Sequence, residues 1–204
     1  MDKIDFKKKL SMLYSAPTGS FAAVDVPPLQ FVKVHGKGDP NREPSCRHAI
    51  EWLHFVSYAT KFAAKTKSRK DYVVPPLEGL WWADNPADFV NRSKHLWRWT
   101  MMIMVPDFID RPLYDTALAK ARNKLREPPE TLRLEPLNEG RSLQTLHIGS
   151  YDDEGPILAK LHDEVMPAQG LTFAGPHEIY LNDPRKTPPE KLKTMLRQPV
   201  RKAD

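Results

Sequence analysis

Two short stretches of the chain share a pattern, a glutamate in the middle of large apolar and aromatic residues. One is residues 76–82, which contains Glu78, and the other is residues 176–181, which contains Glu178. Both are typical of β-strands, in which alternate side chains share a face. Burying a carboxylate among apolar groups costs roughly several kcal/mol unless the charge is paired or neutralised. The repeated pattern therefore predicts either a polar floor in an aromatic pocket or two glutamates on solvated strand faces.

The spacing of apolar residues predicts the same order of elements twice: strand, helix, strand and strand. A short helix at 5–14 and a connector that ends at Pro27-Pro28 precede the first copy. The first copy is predicted to have a strand at 29–36, a helix at 45–65 and strands at 72–82 and 94–105. The second is predicted to have a strand at 142–149, a helix at 156–166, the strand at 176–181 and a strand at 194–200.

A histidine, the strand glutamate and a threonine recur in the same order in the two copies: His35, Glu78 and Thr100, then His147, Glu178 and Thr194. Such matched landmarks indicate a degenerate internal duplication. We therefore expect an α+β fold in which two pseudo-symmetric β-α-β-β repeats form antiparallel sheets with helices on one side. A single domain would span 1–204, with repeats at about 29–105 and 131–201 joined by a helix at about 111–126.

Tryptophans are concentrated in the two strands that follow the first long helix. They are Trp81, Trp82, Trp97 and Trp99. Alternation in the strand at 94–105 puts Trp97, Trp99 and Met101 on one face, and in the second copy it puts Glu178 and Tyr180 on one face. Aromatic rings offer flat surfaces for stacking, so this density favours a pocket for a planar ligand. A core unusually rich in tryptophan is the alternative.

Composition and charge limit the classes of partner. The chain has 204 residues, a formal net charge of +5, 40% hydrophobic residues and one cysteine. No apolar run approaches the ~20 residues of a membrane span and no signal-peptide pattern follows the start, so a cytoplasmic protein without a membrane partner is expected. Basic runs at 7–9, 65–70 and 191–201 come without any DNA- or RNA-binding motif, so no nucleic-acid partner is expected.

Motifs of several common catalytic chemistries are missing from the sequence. It has no nucleophile elbow, no glycine-rich phosphate loop and no dinucleotide fingerprint. His48 and His54 are on separate faces of the predicted helix, and Cys46 has no evident base. Neither a metal nor a cofactor is therefore expected.

The whole chain resembles stand-alone members of the GyrI-like small-molecule-binding family. The residues that carry the resemblance are Asp5 to Leu10 with Leu13-Tyr14, Pro75 to Trp82, Trp97 to Ile103, His177 to Arg185 and Pro189 to Thr194. The resemblance implies two pseudo-symmetric β-α-β-β units with a ligand cleft between the halves. In multidrug-sensing members, the glutamate that matches Glu178 meets planar cationic drugs in an aromatic pocket.

The tryptophan-rich strands are more similar to a subfamily that hydrolyses cyclopropane-bearing DNA-alkylating natural products. On that resemblance, Glu178 would activate a water molecule and Tyr180 or Tyr58 would stabilise the developing phenolate. Glu78 would be the second candidate carboxylate. Four residues would contact a planar aromatic ligand: Trp82, Trp97, Trp99 and Met101. A binding protein that sequesters drugs, or a partner-binding module, is the alternative, and the sequence leaves the oligomeric state open.

Overall fold

The computed structural model describes residues 2–85, 88, 91–125, 127–173 and 177–203. The chain divides into two compact units. The first takes in the described residues of 1–9 and 29–137, and the second those of 10–28 and 138–204. Within the described ranges, no helix is both long and apolar enough to cross a membrane.

The first unit combines an antiparallel sheet with two long helices, and elements are numbered along the chain. Its elements are β1 (Lys3–Ile4), α1 (Phe6–Lys9), β3 (Leu29–Lys37), α2 (Pro44–Lys67), β4 (Asp71–Tyr72), β5 (Leu77–Ala83), β6 (Trp97–Val105), α3 (Arg111–Arg122) and β7 (Arg133–Leu137). The strand order is β5-β6-β3-β7, with antiparallel neighbours, and β1 pairs in parallel with β4.

Local sequence explains where the helices of the first unit begin. Pro44 occupies the first turn of α2, where its missing N–H costs no helical hydrogen bond. Asp110 caps α3, because its carboxylate accepts a hydrogen bond of 2.9 Å from the backbone N–H of Leu113. The buried side of α2 includes Ala49, Trp52, Leu53 and Val56, none of which exposes any surface.

The second unit repeats this plan with a shorter, irregular helix. Its elements are β2 (Ala22–Val26), β8 (Gly140–Ile148), α4 (Gly155–Lys160), a π-helical segment (Leu161–Val165), α5 (Met166–Ala168), β9 (Leu171–Phe173), β10 (His177–Tyr180) and β11 (Lys193–Lys202). The strand order is β2-β8-β11-β10, all antiparallel, and β9 pairs with the end of β11. The helical segments pack on the sheet through Leu161 and Met166, which meet Leu143 and Val200.

The strand registers confirm the predicted duplication. In the first unit, Glu78 lies opposite Met102, and Leu80 lies opposite Thr100, which in turn lies opposite His35. In the second unit, the corresponding pairs are Glu178 with Leu196, Tyr180 with Thr194, and Thr194 with His147. The predicted landmarks therefore occupy equivalent positions in two sheets of the same internal order. The expected α+β fold with β-α-β-β repeats is correct.

Several predicted boundaries and elements need correction. The predicted connector before Pro27 contains β2, and β7 and β9 were not predicted as strands. The helix expected at 5–14 is broken into α1 and a 3₁₀ turn at Ser11–Leu13, and residues 94–96 form another 3₁₀ turn ahead of β6. The joining helix α3 ends at Arg122, while its predicted end at 126 and the predicted strand start at Pro176 lie outside the described residues.

Candidate functional site

A carboxylate and a phenol are bonded to each other on one face of β10. Because residues of a strand alternate, Glu178 and Tyr180 point to the same side. The Tyr180 hydroxyl donates a hydrogen bond of 2.8 Å to Glu178 Oε2, and both side chains are half-buried. The predicted pair of site residues is therefore in direct contact in the second unit.

A second tyrosine, Tyr151, completes this cluster. Its ring meets the ring of Tyr180 edge-on, with centroids 5.6 Å apart. Burial raises the pKa of Tyr151 to about 12, and the negative charges of Glu154, Glu178 and Asp183 add to that effect. Tyr151 is therefore protonated at neutral pH and can act as a hydrogen-bond donor. The sequence reasoning missed it because it comes from the 3₁₀ turn Tyr151–Asp153, which follows β8 rather than lying in a patterned strand.

The opposite face of β10 is anchored by a buried ionic cluster. His177 Nδ1 lies 2.7 Å from one Glu139 oxygen, and Arg197 Nη1 lies 3.2 Å from the other. The three side chains expose 0%, 4% and 2% of their surface. Burial by itself would raise the pKa of Glu139, but the combined effects of His177 and Arg197 outweigh it, so the pKa is lowered. Glu139 is therefore ionised, and its contacts with His177 and Arg197 stabilise the face of β10 opposite Glu178.

The same cluster holds the segment that precedes β2. Arg197 donates from Nη2 to the carbonyl of Leu13 and from Nε to Gln144 Oε1. The Gln144 side chain donates in turn to the carbonyls of Met12 (2.7 Å) and Ser15 (3.0 Å). Three carbonyl groups of residues 12–15 are thus bound by two buried side chains of the second unit.

The equivalent glutamate of the first unit has different surroundings. Glu78 is only 2% exposed. Glu78 on β5 pairs with Met102 on β6, and Met102 pairs with Lys33 on β3. In the second unit, the position equivalent to Lys33 is occupied by Thr145. Burial lowers the pKa of Lys33, and its Nζ donates a hydrogen bond of 2.8 Å to the carbonyl of Pro136. The two glutamates therefore share a register position without sharing neighbours.

The predicted ligand-binding aromatic residues do not form one surface. On β5, Trp82 lies on the same face of the sheet as Glu78, and it pairs with Arg98 of β6. Trp99 pairs instead with Trp81, so it lies on the opposite face. Trp97 and Met101 share that opposite face with Trp99. Trp99 and Met101 are 1% and 3% exposed, while Trp82 is 37% exposed. Tyr58 is exposed on α2. The role of each in ligand binding stays a prediction.

Trp99 is packed where no larger neighbour would fit. It lies opposite Gly36 in the β3–β6 ladder, and a Cβ atom added to Gly36 would come within 2.2 Å of the indole. This close approach explains the glycine in the strand. Trp97 meets Trp81 edge-on at 5.9 Å. These contacts make Trp99 part of the core of the first unit.

Among the described residues, Cys46 and possible metal-binding clusters were the other candidate centres. Burial raises the pKa of the Cys46 thiol to about 11, so little thiolate exists at neutral pH. In the part of the chain that the structure describes, no group of three or more His, Cys, Asp or Glu side chains could hold a metal ion. The Glu178, Tyr180 and Tyr151 cluster remains the candidate site.

Comparisons with known proteins agree with this fold. The model of a family described as the GyrI-like small molecule binding domain matches residues 21–201. A crystal structure of an uncharacterized conserved protein from Listeria innocua is 34% identical, with a TM-score of 0.87, over 98% of this chain and all of that one. Two structures of a hydrolase from Listeria innocua have the same identity and coverage, with TM-scores of 0.83 and 0.85.

A more distant structure shows likeness of fold alone. The C-terminal domain of EcmrR is 11% identical over 90% of this chain and 98% of that one, with a TM-score of 0.57. No protein with a curated description matches the chain significantly.

Proposed function

Because the chain belongs to the GyrI-like small-molecule-binding family, we propose that it binds planar hydrophobic or cationic small molecules and hydrolyses cyclopropane-bearing DNA-alkylating compounds. The observation that carries the proposal is the Glu178 carboxylate bonded to the Tyr180 hydroxyl beside Tyr151. The similar Listeria innocua structures described as hydrolases support the enzymatic part at 34% identity.

The reaction would be the addition of one water molecule, with Glu178 as the base. An ionised carboxylate has about four acceptor positions, so Glu178 can accept both the Tyr180 hydrogen and one from water. The water oxygen bonds to the strained cyclopropane carbon as the bond from that carbon to the conjugated ring breaks. The electron pair of the broken bond moves to the dienone oxygen, which becomes a phenolate. Glu178 takes the water proton, and protonation of the phenolate gives the phenol product.

Stabilisation of the developing phenolate needs a donor that keeps its proton. Tyr151 meets this requirement, because burial raises its pKa to about 12. Tyr180 already donates to Glu178, so its proposed role is to orient the carboxylate. We therefore propose Tyr151 as the donor to the phenolate.

The predicted stacking residues differ in how far solvent reaches them. Among the predicted stacking residues of the first unit, Trp82 is 37% exposed, Tyr58 is 49% exposed and Trp97 is partly buried. Trp99 and Met101 are buried and would support the sheet rather than touch a ligand. Stacking on tryptophan or tyrosine suits a planar aromatic compound and a cationic one alike.

The test is product analysis after incubation with a cyclopropane-containing alkylator. Mass spectrometry should find the compound with one water added, and Glu178→Gln should lose that activity while still binding the compound, as measured by tryptophan fluorescence. Glu190→Gln, which changes an exposed glutamate of the same unit, should leave turnover unchanged. Full turnover in Glu178→Gln would exclude Glu178 as the base.

The second candidate function is binding without chemistry. A carboxylate bordered by the rings of Tyr180 and Tyr151 also suits the capture of an aromatic cation. A compound recovered intact after saturating incubation, together with quenched fluorescence, would favour a sequestering protein over a hydrolase.

A further inference from the structure

The histidine that recurs in both repeats has different partners in the two units. His35 and its neighbour across the ladder, Thr100, share a hydrogen bond of 2.7 Å between Nδ1 and the hydroxyl oxygen. His147 lies opposite Thr194 in the same way, but its ring bonds elsewhere, with Nε2 at 2.9 Å from the carbonyl oxygen of Ser150. A carbonyl oxygen can only accept, so Nε2 of His147 carries the hydrogen and donates it. One matched pair of residues therefore has two hydrogen-bond patterns.

This difference leaves a buried hydroxyl group of the second unit unpaired. Thr194 is 0% exposed, and its hydroxyl oxygen has no hydrogen-bond partner among the described residues. A buried polar group without a partner destabilises the folded state, because it loses its hydrogen bonds to water and gains none in return. The hydrogen bond that forms at Thr100 is thus missing at Thr194, and the contact that His147 makes instead needs an explanation.

The turn that follows β8 contains the partner of the His147 ring. Gly149 has a φ of 148°, which other residues rarely adopt, and a Cβ atom there would come within 3.1 Å of His147 Nε2. Glycine thus leaves room for the ring beside the backbone. The Ser150 carbonyl also accepts from the N–H of Asp153 at 3.1 Å, and the Ser150 hydroxyl donates to Asp153 Oδ2 at 2.8 Å. His147 therefore binds β8 to a turn that Ser150 and Asp153 close.

The same turn carries a tyrosine of the candidate site. Tyr151 follows Ser150 directly, and its ring meets the ring of Tyr180 edge-on at 5.6 Å. Tyr180 in turn donates its hydroxyl hydrogen to Glu178. Contacts therefore run without a gap from His147, through the turn and the two tyrosines, to the candidate base.

The first unit lacks the side chains that this turn supports. Leu80 lies opposite Thr100, where the second unit has Tyr180 opposite Thr194, so β5 has no phenol beside Glu78. In that unit the histidine bonds its threonine. The histidine has thus left its threonine in the unit that has the carboxylate–tyrosine pair.

We propose that His147 is a positioning residue of the Glu178 site, and that its hydrogen bond to Ser150 holds Tyr151 against Tyr180. His147 acts through the turn and does not touch the ligand. The inference rests on the proposed function, in which Tyr151 donates to the developing phenolate. Without the bond to Ser150, the turn is no longer bound to β8, and Tyr151 loses the partly buried position that raises its pKa.

The test compares two replacements of His147 that have nearly the same shape. His147→Gln keeps an N–H donor near the position of Nε2, and His147→Met removes it. With a cyclopropane-bearing compound, His147→Met should lower kcat about tenfold or more and change KM less than about threefold, because a donor to a developing oxyanion acts mainly in the transition state. His147→Gln should keep kcat within about threefold of the parent value. Circular dichroism checks that both variants are folded.

A second readout follows Tyr151 and needs no turnover. In NMR spectra of protein with ¹³C-labelled tyrosine, the Tyr151 signal is identified by its loss in Tyr151→Phe. The pKa of Tyr151 is raised to about 12, so at about pH 11 this tyrosine should still be mostly protonated in the parent. In His147→Met the ring becomes more exposed, its pKa should fall towards the usual value of about 10, and most of it should be ionised at the same pH. An unchanged Tyr151 signal in that variant would overturn the proposal.

Two further variants separate this role from general stability. His35→Met removes the equivalent histidine of the first unit and should lower the melting temperature by about 1–6 °C, with kcat and the Tyr151 signal unchanged. Thr194→Val should leave the melting temperature unchanged or raise it, because the hydroxyl that it removes is unpaired.

Two more outcomes would overturn the proposal. One is a fall in melting temperature for Thr194→Val as large as that for His35→Met, since it would show that His147 bonds Thr194 in solution. The other is an equal loss of kcat in His147→Gln and His147→Met, since the donor would then not matter. Absence of turnover in the parent would refute the proposed function instead, and the Tyr151 signal and Thr194→Val would then decide the role of His147.

Discussion

Replacing Arg197 by methionine tests the structural role of the buried cluster behind β10. Methionine keeps most of the length and apolar packing of the side chain, so the change isolates the guanidinium group. That group is bound by Glu139, Gln144 and the carbonyl of Leu13, and the Arg197 side chain is only 2% exposed. Its removal leaves the buried charge of Glu139 with His177 as its remaining partner in the cluster.

Breaking a buried ion pair by removing one partner costs about 3–5 kcal/mol, which is a large part of the total stability of a domain. For a chain of this length, 1 kcal/mol corresponds to about 2–4 °C, so the melting temperature should fall by about 6–20 °C. Urea unfolding followed by circular dichroism measures the free energy. The control is Arg141→Met, whose pair with Asp25 is 58% and 75% exposed and should contribute less than about 1 kcal/mol.

A double-mutant cycle and an acid titration examine the cause. The double variant Arg197→Met/Glu139→Gln should lose less free energy of unfolding than the sum of the two single losses, because Glu139→Gln removes the buried carboxylate charge that Arg197→Met leaves without its arginine partner. The pKa of Glu139 is lowered in the folded state, so its stabilisation is present above the unfolded value of about 4.3 and is lost as the pH falls through the folded value. The reasoning would be refuted if Arg197→Met lowered the free energy of unfolding no more than Arg141→Met does. It would also be refuted if the effects of Arg197→Met and Glu139→Gln were strictly additive.

Three further outcomes are expected. Gly36→Ala should lower the free energy of unfolding in urea by about 1–3 kcal/mol, because the added Cβ would lie 2.2 Å from the Trp99 indole. In the control Gly155→Ala, the added Cβ has no neighbour within 4 Å, so stability should be unchanged or higher. Equal effects of the two changes would contradict the close packing of Gly36 on Trp99. The raised pKa of Tyr151 favours the folded state below pH 10, and this contribution should disappear between about pH 10 and 12, so Tyr151→Phe should be less alkali-sensitive than the parent in urea titrations. Tyr180→Phe should lower turnover of a cyclopropane-bearing compound about tenfold or more with little change in dye binding, and unchanged turnover would remove the hydroxyl from the mechanism.

Strand alternation was enough to predict the centre of the candidate site. The sequence places Glu178 and Tyr180 on one face of a short strand, and the structure joins them by a hydrogen bond. Alternation cannot predict Tyr151, because residues of a turn have no period. Nor can it predict that Glu139, from the link between β7 and β8, would reach His177, since that contact depends on how a loop folds over a sheet.

The fold was predicted from its periodic elements, and the exceptions have local causes. Residues 22–26 have small side chains and an aspartate ahead of Pro27-Pro28, so they read as a connector although they form β2. The tryptophans of β5 and β6 were predicted to form one stacking surface because the sequence shows how many there are in the two strands, but not how the two strands pair. The pairing of Trp99 with Gly36 fixes that register and places the indole in the core.

The placement of β2 and β7 has a consequence for the origin of the chain. β2 leads into the first repeat but pairs with β8 of the second, and β7 leads into the second repeat but pairs with β3 of the first. Each repeat thus gives its leading strand to the sheet of the other. A gene that encoded one repeat would have produced a chain whose sheet was completed only by a second copy, as in a strand-exchanged homodimer. Fusion of two such genes would make that exchange of strands intramolecular. The surroundings of Glu78 and Glu178 could then become different, whereas in a symmetric homodimer the two equivalent glutamates would have identical surroundings.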